Sequence, residues 1–320
     1  MFFSPRWRAI LQAFLVTFLW STSWVLIKYT LDEISPLTFA GLRYTLAFII
    51  LLPSLWKQRV AARALSIWEW RRLAVLGLVF YTLTQGGQFL TLRYLEATTF
   101  SLLLNFTSVL VVLLGIVALR EVPSRWQWGG IMLFVAGVWT YFFPTAGTGG
   151  PALGLILAGL TVSANAVAAV LGRSVNRERA MPPLVVTAIS MGAGAIPLLG
   201  IGLAVEGLPS ISATGWGIVV WLDAVNTALA FTLWNRSLQK LSAVESSMIN
   251  NTMLIQIAGL AWLFLGEGLT GRQVVGLMLA MVGILFAQWR ADSGPSARRR
   301  PAGAGLLPEA GAPHSMTSQK

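Results

Sequence analysis

The chain has 320 residues, 56% of them hydrophobic and 11% charged, and its 23 Lys and Arg against 12 Asp and Glu give a net charge of +11. With mean hydropathy at +0.70, an ordinary soluble fold is excluded: its core cannot absorb that much apolar surface, whereas a bilayer can. Cysteine is absent, which excludes disulfides and thiolate metal sites.

A spanning helix needs about 20 largely apolar residues. Ten such segments are predicted in chain order: 9–30, 36–56, 72–93, 97–119, 126–143, 151–172, 183–205, 213–236, 243–265 and 271–289. The first is too long for a signal-peptide core and no small-residue cleavage site follows it, so it is kept as a helix. The short loops between segments leave no room for a separate soluble domain. Residues 290–320 are rich in Ala, Gly, Pro and Arg and are predicted to be a disordered cytoplasmic tail. Its basic run Arg298–Arg300 reads first as a mark of the cytoplasmic side, in contact with anionic headgroups.

With the N terminus inside, every Lys and Arg except Lys28, Arg43, Arg93 and Arg272 falls in a cytoplasmic segment or the tail. So lopsided a distribution orients the chain in the inner (plasma) membrane with both termini cytoplasmic. The basic excess is thus a topology signal, and nucleic acid is dropped as a partner.

Residues 92–137 repeat as 238–283 without a gap. Leu92, Ala97, Ser101 and Asn105 meet Leu238, Ala243, Ser247 and Asn251, and Glu121, Gln127, Gly130 and Gly137 meet Glu267, Gln273, Gly276 and Gly283. Matches at polar and glycine positions mark a duplication, a leading sign of a transporter. The domain reading is a first repeat over 1–143, a second over 151–289 and the tail over 290–320. Five spans per repeat is an odd number, so the second copy enters upside down. The fold class is therefore an all-α membrane protein of ten transmembrane helices in two inverted five-helix repeats, with Glu121 cytoplasmic and Glu267 external.

Shared features read mainly as scaffold. Ser124 with Gln127 and Thr270 with Gln273 fit capping boxes, and the glycines, seven apart, allow close helix contact. Lys28, Glu121 and Glu267 are candidate edge ion pairs. The candidate substrate-binding residues are polar or aromatic groups at membrane depth. Trp20 and Trp24 share a face of the first helix, too deep for an interfacial belt, where they either stack on substrate or pack. Arg43 either holds a substrate carboxylate or pairs with Asp32, Glu33 or Glu267. Asp223 lies mid-helix, where a charge costs about 2.5–3.5 kcal/mol on insertion scales. It either binds a substrate ammonium and carries a coupling proton or bonds a neighbouring helix, and Asn226 shares its face. Gln85, Gln88, Asn105, Asn165 and Asn251 suit a polar or zwitterionic substrate, although buried amides also simply link helices.

The stretch LWSTSWVLIKYTLDEISPLTFAGLRYTLAFIILLP, with LREVPSRWQWGG and LGEGLTGRQVVG ending the fourth and ninth helices, resembles the EamA-type family of the drug/metabolite transporter superfamily. The resemblance covers about residues 9–289. It implies a ten-helix basket with a central cavity lined mainly by helices 1, 3, 4, 6, 8 and 9. It also implies export of small metabolites, often amino acids and related compounds, across the inner membrane. Relatives often carry a proline in helices four and nine where this chain has Thr107 and Met253, so a proline kink is not expected there.

The expected function is a secondary transporter, in the export direction, acting by alternating access. Its partners are a small-molecule metabolite and the bilayer, and the layout is compatible with a monomer. A lipid-carrier flippase is the alternative and predicts a lateral opening with few amides. An enzyme would need clustered acid–base or metal ligands, yet the one histidine, His314, falls in the tail. No cofactor or metal is expected.

Overall fold

A computed structural model describes residues 5–119, 124–143, 151–177, 181–238, 240–241 and 243–289. Among these residues every element is helical. The first half contains α1 (Pro5–Thr30), α2 (Pro36–Lys57), the short α3 (Arg59–Arg63) and α4 (Ile67–Gly77). A π-helical stretch, π1 (Leu78–Gln85), joins α4 to α5 (Gly86–Tyr94), and α6 (Ala97–Leu104), α7 (Phe106–Leu119) and α8 (Arg125–Phe142) follow. The second half has α9 (Ala152–Arg177), α10 (Pro183–Glu206) and α11 (Ala213–Trp221), with π2 (Leu222–Leu229) leading into α12 (Ala230–Leu238). It ends with α13 (Ala243–Asn251), α14 (Met253–Leu265) and α15 (Gly271–Trp289).

Seven of the described helical runs are long and apolar enough to cross a membrane: Trp7–Thr30, Pro36–Lys57, Ile67–Tyr94, Ala97–Leu114, Ala152–Gly172, Pro183–Glu206 and Met248–Leu265. The other three predicted spans, 126–143, 213–236 and 271–289, are helical but for Phe143 and do not join that set among the described residues. Trp126, Gln127, Trp128 and Trp139 dilute the apolar window of α8, and Gly271–Ala287 is an apolar helix shorter than a full span. Length and apolarity alone therefore do not establish ten crossings. The predicted tail lies outside the described residues.

Helix starts follow local chemistry. Ser124 accepts from the Gln127 N–H at 3.3 Å while Gln127 accepts from the Ser124 N–H at 2.7 Å, and Thr270 with Gln273 does the same at 3.3 and 2.8 Å. These are the two predicted capping boxes. The repeat glycines also sit as expected. A Cβ on Gly130 would strike the backbone of Gly283 and Ala287, and one on Gly137 that of Gly276 and Ala280. Matching positions meet in crossed order, 130 with 283 and 137 with 276, so α8 and α15 pack antiparallel.

Each repeat also breaks a helix where no proline was expected. At Asn105 the backbone N–H bonds Leu102 O at 3.2 Å instead of reaching back four residues. The Asn105 side chain takes the vacated Ser101 carbonyl at 2.7 Å. At Thr252 the N–H bonds Ile249 O at 3.1 Å, and the hydroxyl bonds the same carbonyl at 2.6 Å. Side chains that compete for backbone groups thus interrupt both helices without proline.

Candidate functional site

The interrupted and π-helical segments surround a two-lobed cavity. The larger lobe, about 410 Å³, is lined by Trp20, Ser23 and Trp24 of α1, Arg43 and Tyr44 of α2, and Phe80, Tyr81 and Gln85 of π1. Gln88, Asn165, Asn226 and Asn250 complete its polar wall. The smaller lobe, about 270 Å³, is lined by Ser101, Asn105, Thr107 and Ser108 on one side and Asn250 and Asn251 on the other. The lobes share Trp24, Leu104, Asn165, Asn250 and Met253, so they are parts of one space. Its size falls in the ordinary range for a small-molecule site.

Nine of the ten candidate binding residues line this cavity: Trp20, Trp24, Arg43, Gln85, Gln88, Asn105, Asn165, Asn226 and Asn251. Asp223 lies behind the wall in π2, 3% exposed, and both its carboxylate oxygens lack a hydrogen-bond partner among the described residues. Arg43 is close enough for its charge to act on Asp223, its own Nε is buried without a partner among the described residues, and its guanidinium lies 5.4 Å from the Tyr44 ring centroid. Glu33 and Glu267, offered earlier as partners for Arg43, accept hydrogen bonds from Ser212 and from Ala97 and Thr98 instead.

The amides differ in occupation. Asn226 is fully buried, and its Nδ2 donates to Leu19 O, to Ser23 Oγ at 2.7 Å and to Thr22 Oγ1 at 3.3 Å. Trp20 Nε1 answers by donating to Asn226 O at 3.0 Å. Asn165 donates to Thr107 Oγ1 at 3.1 Å. Gln85 and Gln88 hold no protein partner among the described residues. The indoles do not stack on each other: Trp20 packs 5.3 Å from Trp234, and Trp24 lies 5.4 Å from Phe100.

Sequence reasoning passed over Tyr44 and Tyr81, whose rings lie 5.3 Å apart in the wall. Their one available signal was placement: Tyr44 follows Arg43, and Tyr81 is one helical turn before Gln85.

Of the edge charges, Lys28 Nζ lies 3.7 Å from Glu267 Oε1 and donates to Leu95 O. Glu121 lies outside the described residues. Glu96, in the turn before α6, is held above the ordinary carboxylate range, first by burial and then by Glu267, with Lys28 opposing.

The sequence profile of the EamA-like transporter family matches residues 7–143 and again 152–289. An uncharacterized transporter of Synechocystis sp. is 27% identical over 85% of this chain and 87% of its own length. An S-adenosylmethionine/S-adenosylhomocysteine transporter of Chlamydia muridarum is 26% identical over 81% of this chain and 85% of that one. A solved crystal structure shares the fold at TM-score 0.62 and 19% identity, covering 89% of this chain and 98% of the other. Two family repeats, apolar spanning helices and a polar cavity between the repeats agree on one assignment: the chain belongs to the EamA-like transporter family and is a multi-pass membrane transporter.

Proposed function

We propose that this protein is a secondary transporter that exports small metabolites, amino acids or related compounds, by alternating access about the two-lobed cavity. The observation that carries the reading is the pair Arg43 and Asp223, buried beside the cavity with opposite charges and unsatisfied atoms on both. A buried polar group left without a partner costs roughly 1–3 kcal/mol, which a zwitterion offsets at Arg43 through its carboxylate, while Asp223 behind the wall supplies the opposite charge toward its ammonium. Tyr44, Tyr81 and Trp24 then bound the side chain, and Gln85, Gln88 and Asn250 serve its polar groups. The relative named for S-adenosylmethionine and S-adenosylhomocysteine is consistent with this class, since both molecules are α-amino acids bearing a large substituent.

The ten-span inverted layout, with both termini in the cytoplasm of an inner-membrane protein, belongs to the same proposal. The antiparallel α8–α15 pair and the matched interruptions at Asn105 and Thr252 support it, as does the placement of the basic residues. Asp223 is assigned the coupling proton. The many amides weigh against an acyl-bearing lipid substrate.

Purified protein in liposomes, assayed by counterflow against amino acids, nucleosides and aromatic metabolites, tests the reading. At least one zwitterion is expected to exchange, with Arg43→Gln lowering its apparent affinity at least tenfold and Asp223→Asn flattening the pH dependence. Failure of every compound to move would reject the metabolite reading. Unchanged pH dependence in Asp223→Asn would remove the coupling role.

A further inference from the structure

Helix starts at one end of the bundle are capped by the opposite repeat. Ser35 precedes α2 and Glu96 precedes α6, both in the N-cap position, yet neither side chain makes a cap hydrogen bond. The free N–H groups go to remote carboxylates. Glu206, the last residue of α10, accepts from Leu37 N at 3.2 Å, Thr38 N at 2.8 Å and Thr38 Oγ1 at 3.0 Å. Glu267, beyond the end of α14, repeats the pattern on Ala97 N at 2.7 Å, Thr98 N at 3.0 Å and Thr98 Oγ1 at 3.0 Å. In the reverse sense, Glu33 of the first repeat accepts from the backbone N–H and hydroxyl of Ser212, the residue that caps α11.

Each carboxylate therefore sits at the positive end of a helix and accepts charge-assisted bonds. Such bonds need donor and acceptor within about 3.2 Å, so separation of the repeats by even a few ångströms removes them. Elsewhere the caps are local: Ser66 with Glu69 at α4, Ser124 with Gln127 at α8, and Thr270 with Gln273 at α15. A local cap shapes its own helix and ties it to nothing. The three remote caps fall on α2, α6 and the α11–π2 rod, all of which contribute to the cavity wall or its buried Asp223. At the same end Ile27, Leu31, Ile34, Phe100, Val219 and Ile257, drawn from both repeats, form one buried apolar cluster.

We infer that Glu33 and Glu267 form a latch between the repeats that closes one mouth of the cavity, with Glu206 fixing the α2–α10 seam beside it, and that parting this latch is the step that opens the cavity on that side. By the distribution of basic residues this is the outer mouth. Lys28 supports it by holding both Glu267 and Leu95 O. The inference takes the cavity described above as the transport site, but its test needs no substrate.

The chain contains no cysteine, so one introduced thiol is a clean reporter. In a Gln88→Cys background, a membrane-impermeant maleimide applied from the latch side is expected to label slowly. Adding Glu33→Gln and Glu267→Gln raises that rate roughly tenfold for each latch contact weakened, the scale of one charge-assisted hydrogen bond. Labelling from the opposite side falls, and Glu69→Gln, which alters a local cap, changes neither rate. Unchanged labelling from the latch side, or an equal rise with Glu69→Gln, overturns the inference. Should the double variant fail to fold, Glu33→Gln alone gives the same readout, because Glu33 is exposed and its removal leaves no buried donor stranded.

Discussion

At the residue scale, two kinds of amide share one cavity. Asn226 fastens π2 to α1 through three acceptors and is fully buried, whereas Gln88 faces the cavity without a protein partner among the described residues. Interhelical hydrogen bonds in membranes average about 0.6 kcal/mol, with a maximum near 1.7. Asn226→Ala is therefore expected to lower stability by roughly 1–2 kcal/mol, read as an earlier unfolding midpoint in detergent. Gln88→Leu is expected to leave that midpoint in place and to raise the half-saturating substrate concentration. A matching loss of stability in both variants would show that Gln88 is also a helix fastener. Sequence alone put these residues in one group because both are amides at membrane depth, and occupation of their donors depends on distant α1.

At the scale of elements, legibility followed locality. Apolar runs, capping boxes and the seven-residue glycine spacing depend on neighbours a few positions away, and their outlines appear in the chain itself. The π stretches did not, because one extra residue per turn leaves no compositional mark. Remote caps at α2, α6 and α11 escaped for another reason: Glu33, Glu206 and Glu267 cap helices more than a hundred residues distant. The interruption at Asn105 lies between these cases, since its cause is local but a search for proline overlooks it. Asn105→Leu removes the side-chain donor to Ser101 O, which leaves that carbonyl unsatisfied unless the Asn105 N–H returns to it, a difference worth roughly 1–3 kcal/mol. We expect the helix to close, with slower amide exchange at residues 105–108 and loss of transport through narrowing of the smaller lobe. Unaltered exchange would show that packing, not the side chain, holds the break.

For the molecule as a whole, the two repeats meet in two ways with opposite mechanical demands. The carboxylate caps beside the cavity are few, polar and breakable. The α8–α15 seam is backbone against backbone, so close that no Cβ fits at Gly130, Gly137, Gly276 or Gly283, and α2 packs on α10 as closely at Gly41 and Gly202. An interface of that type holds one geometry, because interiors packed to crystal density do not deform continuously. If the repeats rock around the cavity, the α8–α15 and α2–α10 seams serve as the fixed side, and α6 and α11, capped by Glu267 and Glu33, as the moving side. Gly137→Val forces the seam apart, and overpacking of this kind costs about 1–3 kcal/mol. The variant is expected to unfold earlier in detergent while the molecules that remain folded keep their substrate affinity, since no cavity residue lies on α8 or α15. Gly129→Ala, one position from the seam with open space around it, should change neither property. A fall in substrate affinity with unchanged unfolding in Gly137→Val would place the moving side at the seam and reverse this assignment.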